Sequence, residues 1–227
     1  MKTLTLGYSP CPNDTFIFYA LVHGKIDTGD LRFKEILEDV ETLNQMAINE
    51  SLDITKVSYH AFGYLRKNYC LLRSGSAMGK SCGPLIVTME ECEIRDLRGK
   101  KIAIPGRLTT AYLLLQLYDA SLNRPGTDNR VKMPRLFSEE NIKVLPFHKI
   151  MSAVKNGAVD AGLIIHESRF TYPAYGLKKV IDLGEWWEKE TGLPLPLGGV
   201  IARRSLGNDL SRKIERVLRE SVKYAMS

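Results

Sequence analysis

The stretch TLTLGYSPCPNDTFIFYALVHG, residues 3–24, contains the change of hydrophobic period that decides the fold class. Over residues 3–9, apolar and polar side chains alternate, as they do in a half-buried strand. Over residues 16–22, the apolar side chains recur at helical spacing, and Asn13 or Asp14 is predicted to cap that helix. A strand followed at once by a helix is the repeating unit of an α/β fold.

The alternation of strand and helix continues outward from this stretch. Further strands are predicted at residues 31–35, 53–58, 69–72, 84–89, 101–104, 143–147, 159–165 and 179–183. Further helices are predicted after the N-cap Asp39, up to Leu65, and over residues 109–118, 148–156 and 209–225. The sequence therefore predicts an α/β protein throughout.

The charged stretch EECEIRDLRGKK, residues 90–101, predicts a boundary between two lobes. Residues 1–90 and 198–227 are predicted to form the first lobe, and residues 91–197 the second lobe with the crossing segments. The run LPLPLGG, residues 193–199, has too many prolines for a central strand and is predicted to cross back to the first lobe. Two α/β lobes of this kind are expected to place a ligand cleft between them.

Three segments are predicted to lie outside the regular elements or at the end of the chain. Residues 123–134 are rich in Asn, Pro, Gly and charge and are predicted to form an exposed excursion of the second lobe. GSAMGKS, residues 75–81, resembles a phosphate-binding loop, but its glycine spacing is one residue too short and a strand follows it. We interpret it as a flexible connector. The last helix reaches Ser227 without a Gly or Pro stop, so we expect the polypeptide to be cut short at its C-terminus.

Composition narrows the classes of function. Of the 227 residues, 44% are hydrophobic, yet the apolar runs are far shorter than the ~20 residues that span a bilayer, which argues against a membrane protein. The net charge of +6 is spread along the sequence, which favours a small anionic carboxylate ligand over nucleic acid. The N-terminus lacks an apolar signal region, so a cytoplasmic location is expected.

Neither the cysteines nor the oligomeric state narrows the class of function further. The four cysteines show neither metal-ligand nor disulfide spacing, so we predict free thiols, no metal and no other cofactor. The sequence leaves the oligomeric state open.

Two loops of the first lobe carry polar side chains that suit a ligand. Asn13 lies at a helix start, where free N–H groups favour an anion, although capping by Asn13 or Asp14 explains these residues equally well. Lys56 and Ser58 end the third strand, and an ammonium and a hydroxyl group both suit a carboxylate. For Lys56, a solvated surface lysine is the simpler interpretation.

Two loops of the second lobe add a threonine pair and a histidine. Thr109 and Thr110 open an apolar helix; capping explains one of them, and two in succession slightly favour a ligand. The motif GLIIHESRFTYP, residues 162–173, ends an apolar strand on His166. An imidazole with a pKa near ~6.5 can accept a proton at neutral pH. Taken alone, a histidine at a strand end is more often structural than catalytic.

Several long motifs together resemble the 1,4-dihydroxy-6-naphthoate synthase family. They are SPCPNDTFIFYALVHG, LEDVETLN, TKVSY, RSGSAMGKSCGPL, IPGRLTTAYLLLQLY, VDAGLIIHESRFTYP and GEWWEKETGLPLPLGG. The resemblance extends over nearly the whole chain. It implies the fold of type 2 periplasmic binding proteins, adopted by a cytoplasmic enzyme of the futalosine route to menaquinone. It also implies a lyase that breaks carbon–carbon bonds in cyclic dehypoxanthine futalosine and releases the dihydroxynaphthoate.

The resemblance also implies roles for individual residues. His166 is the implied proton acceptor. The implied substrate-binding positions are Lys56, Val57, Ser58, Thr109 and Thr110. A base that removes a substrate hydroxyl proton could start a retro-aldol-type cleavage, which needs no metal. Three alternatives stay open at this point: chorismate dehydratase of the same pathway, a non-catalytic solute-binding protein, and a metabolite-sensing module.

Overall fold

The computed structural model describes residues 1–122 and 135–227, and this part of the chain divides into two compact units. The first unit contains Met1–Met78 and Pro196–Ser227, and the second contains Gly79–Leu195. The excursion predicted over residues 123–134 lies outside the described residues.

The elements alternate along the chain much as the hydrophobic pattern predicts. The chain begins with β1 (Lys2–Tyr8), α1 (Pro12–Val22), β2 (Leu31–Leu37), α2 (Val40–Ile48), β3 (Ile54–Ser58), α3 (Tyr59–Leu65), β4 (Tyr69–Leu71) and β5 (Ala77–Gly79). It continues with β6 (Leu85–Thr88), β7 (Ile102–Ile104), α4 (Thr110–Ser121), β8 (Ile142–Val144), α5 (Phe147–Lys155), β9 (Ala161–Ile164), α6 (Ser168–Thr171), β10 (Lys178–Asp182) and α7 (Leu183–Thr191). It ends with β11 (Leu195–Arg203) and α8 (Asn208–Met226).

The sheet of the first unit has the strand order β2-β1-β3-β11-β4, and β5 pairs with β11. β1 runs parallel to β2 and β3, whereas β11 runs antiparallel to β3 and β4. The run at residues 193–199 does lead back to the first unit, but the expectation that its prolines exclude a central strand is wrong, because β11 begins at Leu195 and lies between β3 and β4. The ladder with β3 begins only at Gly198, so Pro196 precedes it and need not donate a hydrogen bond there. A Cβ on Gly198 would lie 2.7 Å from the Val57 carbonyl oxygen, so this close pairing requires glycine.

The core of the first unit lies between its sheet and the helices α1 and α8. Leu6, Phe18, Val200 and Leu218 are all buried in it. The prediction of a long amphipathic last helix is confirmed by α8. Its Ser221 hydroxyl donates to a carbonyl oxygen of α1 at 2.7 Å, which fixes one helix on the other.

The start of α1 differs from the prediction. The helix begins at Pro12 with Cys11 at the N-cap position, so neither Asn13 nor Asp14 is the cap. Pro12 can begin the helix because the first N–H of a helix has no intrahelical acceptor. The capping role predicted for Asp39 in α2 is confirmed, because its side chain accepts from two backbone N–H groups of the first turn.

The sheet of the second unit has the strand order β10-β6-β9-β7-β8. β9 runs parallel to β7 and antiparallel to β6. β6 is thus part of the second sheet, whereas the boundary predicted after residue 90 places its residues in the first lobe. The charged stretch at residues 90–101 is a loop of the second unit with a short 3₁₀ helix over Ile94–Leu97, and not the boundary. The helix α7, over GEWWEKET, was not predicted.

Candidate active site

His166 follows the buried strand β9 after one half-buried residue, Ile165. The backbone of His166 is left-handed, with φ 54°. A non-glycine residue in this conformation carries a free-energy cost of about 1–3 kcal/mol, and such residues cluster at functional sites. The His166 carbonyl accepts a hydrogen bond of 3.2 Å from the Arg169 N–H, and the short helix α6 follows. The turn therefore holds an imidazole at the end of a central strand, where glycine would have been the less strained residue.

The His166 ring is half-buried and packs on an aromatic neighbour. Its centroid lies 5.1 Å from that of Phe147, with an interplanar angle of 67°. Phe147 is the first residue of α5, and its ring also lies 5.6 Å from that of the exposed His148. This edge-on packing restricts the orientation of the imidazole and removes part of its hydration.

Arg169, three residues after His166, is bound on several sides. Its Nη1 donates to the Gly83 carbonyl at 2.8 Å, and its Nη2 donates to the Ser81 carbonyl at 3.2 Å. Nη2 also lies 2.6 Å from Oδ2 of Asp182, in an ion pair whose side chains are 16% and 1% exposed. The other carboxylate oxygen of Asp182 accepts from two backbone N–H groups at the start of α7. Neither Arg169 nor Asp182 was singled out from the sequence.

The threonine pair lies at the same edge of the second sheet as His166. β7 and β9 are parallel neighbours, so the loops that leave their carboxyl ends emerge side by side. Thr109 is the N-cap of α4: its hydroxyl accepts from the Tyr112 N–H at 3.2 Å and donates to the Gly106 carbonyl at 2.8 Å. The predicted capping by one threonine is confirmed. Thr110 is the first residue of α4 and is also buried.

The start of α4 is also stabilised by the carboxylate of Glu139. The Tyr112 hydroxyl donates to Glu139 at 3.0 Å, and Glu139 forms an ion pair with Arg107. Hydrogen bonds from Arg107 and then Tyr112 lower the pKa of Glu139. Burial, followed by the bond to Glu139, raises the pKa of Tyr112.

Lys56, in the first unit, is buried and paired with a carboxylate. Its Nζ lies 3.1 Å from Oδ1 of Asp14 and 2.9 Å from the Gly75 carbonyl oxygen, and the side chains of Lys56 and Asp14 are 6% and 7% exposed. The interpretation of Lys56 as a solvated lysine is therefore wrong. The other oxygen of Asp14 accepts from the hydroxyl of Ser9 at 2.7 Å and from its N–H at 3.2 Å. Because Asp14 balances its charge, Lys56 is not an isolated cation. Its two bonds connect the start of α1 with the loop that contains Gly75.

The segment interpreted as a flexible connector is anchored by side chains of the first unit. Besides the bond from Lys56 to Gly75, Glu215 binds the two residues that precede the segment: it accepts from the Arg73 N–H at 2.8 Å and from the Ser74 hydroxyl at 2.7 Å. Burial opposes ionisation of Glu215, but these hydrogen bonds outweigh it and lower its pKa.

Val57 and Ser58 end β3, beside the loop that leads from β1 to Asn13 at the start of α1. Their strand is the parallel neighbour of β1, so both loops leave the same edge of the first sheet. Val57 is buried, and Asn13 is exposed on the first turn of α1. Asn44 donates to the Ser58 hydroxyl at 3.2 Å and accepts from the Ser58 N–H at 3.0 Å. Because the hydroxyl accepts this bond, its own proton can be donated to a ligand.

The described residues 1–122 and 135–227 contain no group of three or more His, Cys, Asp or Glu side chains that could hold a metal ion. Within the same ranges, no helix is both long enough and apolar enough to cross a membrane.

Comparison with known proteins finds relatives that belong to one family. The family model described as "Menaquinone biosynthesis" matches residues 4–227. A 1,4-dihydroxy-6-naphthoate synthase of Thermus thermophilus is 48% identical over 227 residues, which is 100% of this chain and 76% of the relative. The enzyme of the same name from Streptomyces coelicolor is 46% identical over 223 residues, 98% of this chain and 74% of the relative.

Comparison with solved structures identifies the fold class of this chain. A crystal structure of an Archaeoglobus fulgidus protein matches with a TM-score of 0.83 and 38% identity, and the match covers 99% of this chain and 76% of that one. The alkanesulfonate-binding protein of Xanthomonas axonopodis matches with a TM-score of 0.69 at 15% identity, covering 98% of this chain and 72% of that one. Solved structures described as periplasmic binding proteins, or as having their generic fold, match similarly well, so the predicted α/β fold like that of periplasmic binding proteins is confirmed.

Proposed function

The chain belongs to the menaquinone biosynthesis family, and from this premise we propose that it is a 1,4-dihydroxy-6-naphthoate synthase acting on cyclic dehypoxanthine futalosine. The observation that carries the proposal is the 48% identity to the Thermus thermophilus synthase along the full length of this chain. The proposal includes a carbon–carbon lyase reaction, a small carboxylate substrate and a cytoplasmic location.

His166 is the proposed general base. It removes the proton of a substrate hydroxyl group, the oxygen's electron pair forms a carbonyl, and the adjacent carbon–carbon bond breaks. The electron pair of that bond remains on the departing carbon as an enolate, which takes a proton back from the imidazolium. Two features support this role: the left-handed backbone that holds His166 after β9, and the edge-on packing of its ring on Phe147.

The substrate contacts are proposed separately for the residues of each unit. Ser58, which can donate its hydroxyl proton, and the exposed Asn13 are the proposed direct contacts of the first unit. Val57 is buried, so its proposed contribution is through the backbone at the strand end, and Lys56 acts mainly by fixing the surrounding loops. In the second unit, Thr110 and the first-turn N–H groups of α4 are proposed to bind the carboxylate, at a helix start that Thr109 caps.

The test is incubation of the purified chain with cyclic dehypoxanthine futalosine and, separately, with chorismate. Product is followed by absorbance and by mass after chromatography. Release of 1,4-dihydroxy-6-naphthoate from the cyclic substrate is the expected result. Loss of water from chorismate would identify a dehydratase instead, and tight binding of the cyclic substrate without product would identify a solute-binding protein.

A matched pair of histidine variants separates chemistry from folding. His166→Ala is expected to bind the cyclic substrate and form no product. His23→Ala changes an exposed histidine at the end of α1 and is expected to retain the wild-type rate. A His166→Ala variant that forms product as fast as His23→Ala would remove His166 from the proposed role.

A further inference from the structure

The turn that contains His166 is not stable by itself. α6 is only four residues long and is followed directly by a 3₁₀ helix over Tyr172–Tyr175, and helices this short gain too few hydrogen bonds to offset the entropy of ordering their residues. The left-handed backbone of His166 adds a further cost of about 1–3 kcal/mol. Something outside the turn must therefore hold it after the chain leaves β9.

Arg169 provides that hold through both its backbone and its side chain. Its N–H binds the His166 carbonyl at 3.2 Å, which closes the turn. Its guanidinium group reaches the Gly83 carbonyl at 2.8 Å and Oδ2 of Asp182 at 2.6 Å. Both partners are themselves fixed: Asp182 ends β10 and caps α7, and a Cβ on Gly83 would lie 2.4 Å from the Cα of Gly184. The anchor is a rigid part of the second unit.

We infer that Arg169 is a positioning residue for His166, a role that rests on the proposed function of His166 as the base. The guanidinium group holds α6 against β6, β10 and α7, and α6 in turn keeps the His166 backbone left-handed with its ring on Phe147. A planar group with fixed donors suits this task better than a flexible ammonium group, because it can bind two carbonyls and a carboxylate in one geometry. Without it, the turn relaxes and the imidazole leaves its reactive orientation.

Kinetics of Arg169 variants test the inference. A base displaced by about 1 Å loses about 10²-fold in rate, so Arg169→Met is expected to lower kcat about 100-fold while KM changes by less than about threefold. Arg169→Lys should recover part of the loss. The matched control is Arg32→Met: the exposed guanidinium of Arg32 also binds backbone carbonyls, of Gly29 and Leu31, and its loss should leave both constants unchanged.

A second variant covers the case in which Arg169→Met fails to fold because the Asp182 carboxylate is left buried and unpaired. Arg169→Met with Asp182→Asn removes that charge and keeps the side-chain oxygen that caps α7. The double variant is expected to melt close to the wild-type temperature and still to show the low kcat. A double variant with wild-type kcat would overturn the inference.

Proton NMR gives a readout that does not depend on turnover. The chain has four histidines, so the His166 Cε1–H signal can be assigned from its loss in His166→Gln. Phe147→Leu shows how far the Phe147 ring shifts this signal. In Arg169→Met the signal should move in the same direction as in Phe147→Leu, whereas in Arg32→Met it should stay. If wild type forms no product, the proposed function fails while this signal still tests the positioning; an unmoved signal in Arg169→Met overturns the positioning itself.

Discussion

Replacing Lys56 by methionine removes one partner of a buried ion pair and keeps most of the side-chain volume. The partners are 6% and 7% exposed, so the remaining Asp14 carboxylate would be buried with no cation to balance it. Breaking such a pair costs about 3–5 kcal/mol of unfolding free energy. Ser9 still donates two hydrogen bonds to Asp14, which places the expected loss near the lower end, about 3 kcal/mol.

Urea unfolding followed by circular dichroism at pH 7 measures this loss. With a slope of about 3 kcal/mol per molar urea, the midpoint should fall by about 1 M. Lys56→Met with Asp14→Asn removes both charges and should recover part of the stability, giving a coupling free energy of about 1–3 kcal/mol. Lys213→Met is the matched control, because its ion pair with Asp30 is exposed, and its midpoint should not change. A Lys56→Met midpoint equal to that of the control would refute the reasoning.

Three further predictions concern stability. His166→Gly should unfold with about 1 kcal/mol more free energy than His166→Ala, since glycine adopts the left-handed backbone without strain; equal urea midpoints would contradict the strained turn. Thr109→Ala should lose about 1 kcal/mol because the N-cap of α4 is removed, and Thr109→Ser should retain most of it in the same assay. The folded-state pKa of Glu215 is lowered, so its contribution is complete above its ordinary pKa near ~4.5 and is lost as the pH falls through the lower folded value. Melting temperatures of wild type and Glu215→Gln should therefore converge as the pH is lowered from 6 to about 3; a constant difference would show that the ionised carboxylate adds nothing.

Local patterns in the sequence were sufficient for many elements. The alternation in residues 3–9 and the stripe of α8 identify their elements because each depends on burial of one face. Asp39 could be identified as a cap because the N–H groups that donate to its carboxylate lie only two and three residues away. The predictions failed at β11 and β6, where pairing with distant strands overrides a local sequence signal. At β11 the misleading signal is the prolines that precede the ladder, and at β6 it is the charged loop that follows the strand.

The candidate site was only partly accessible from the sequence for the same reason. The burial of Lys56 depends on Asp14, 42 residues earlier, and on a carbonyl of the connector. Arg169 is fixed by a hydrogen bond to the carbonyl of Gly83, 86 residues earlier, so the motif around His166 does not predict this contact. The left-handed backbone of His166 also has no sequence signal, because glycine is the residue that normally marks such a turn.

The measurement that tests the central claim most directly compares product formation by wild type and His166→Gln, with the dissociation constant of cyclic dehypoxanthine futalosine determined for both by calorimetry. Wild type should release 1,4-dihydroxy-6-naphthoate. His166→Gln should bind the substrate within about threefold of wild type and react about 10²–10⁴-fold more slowly, which is the usual contribution of a general base. Wild type that binds the substrate without releasing product, or a glutamine variant that reacts at the wild-type rate, would contradict the account.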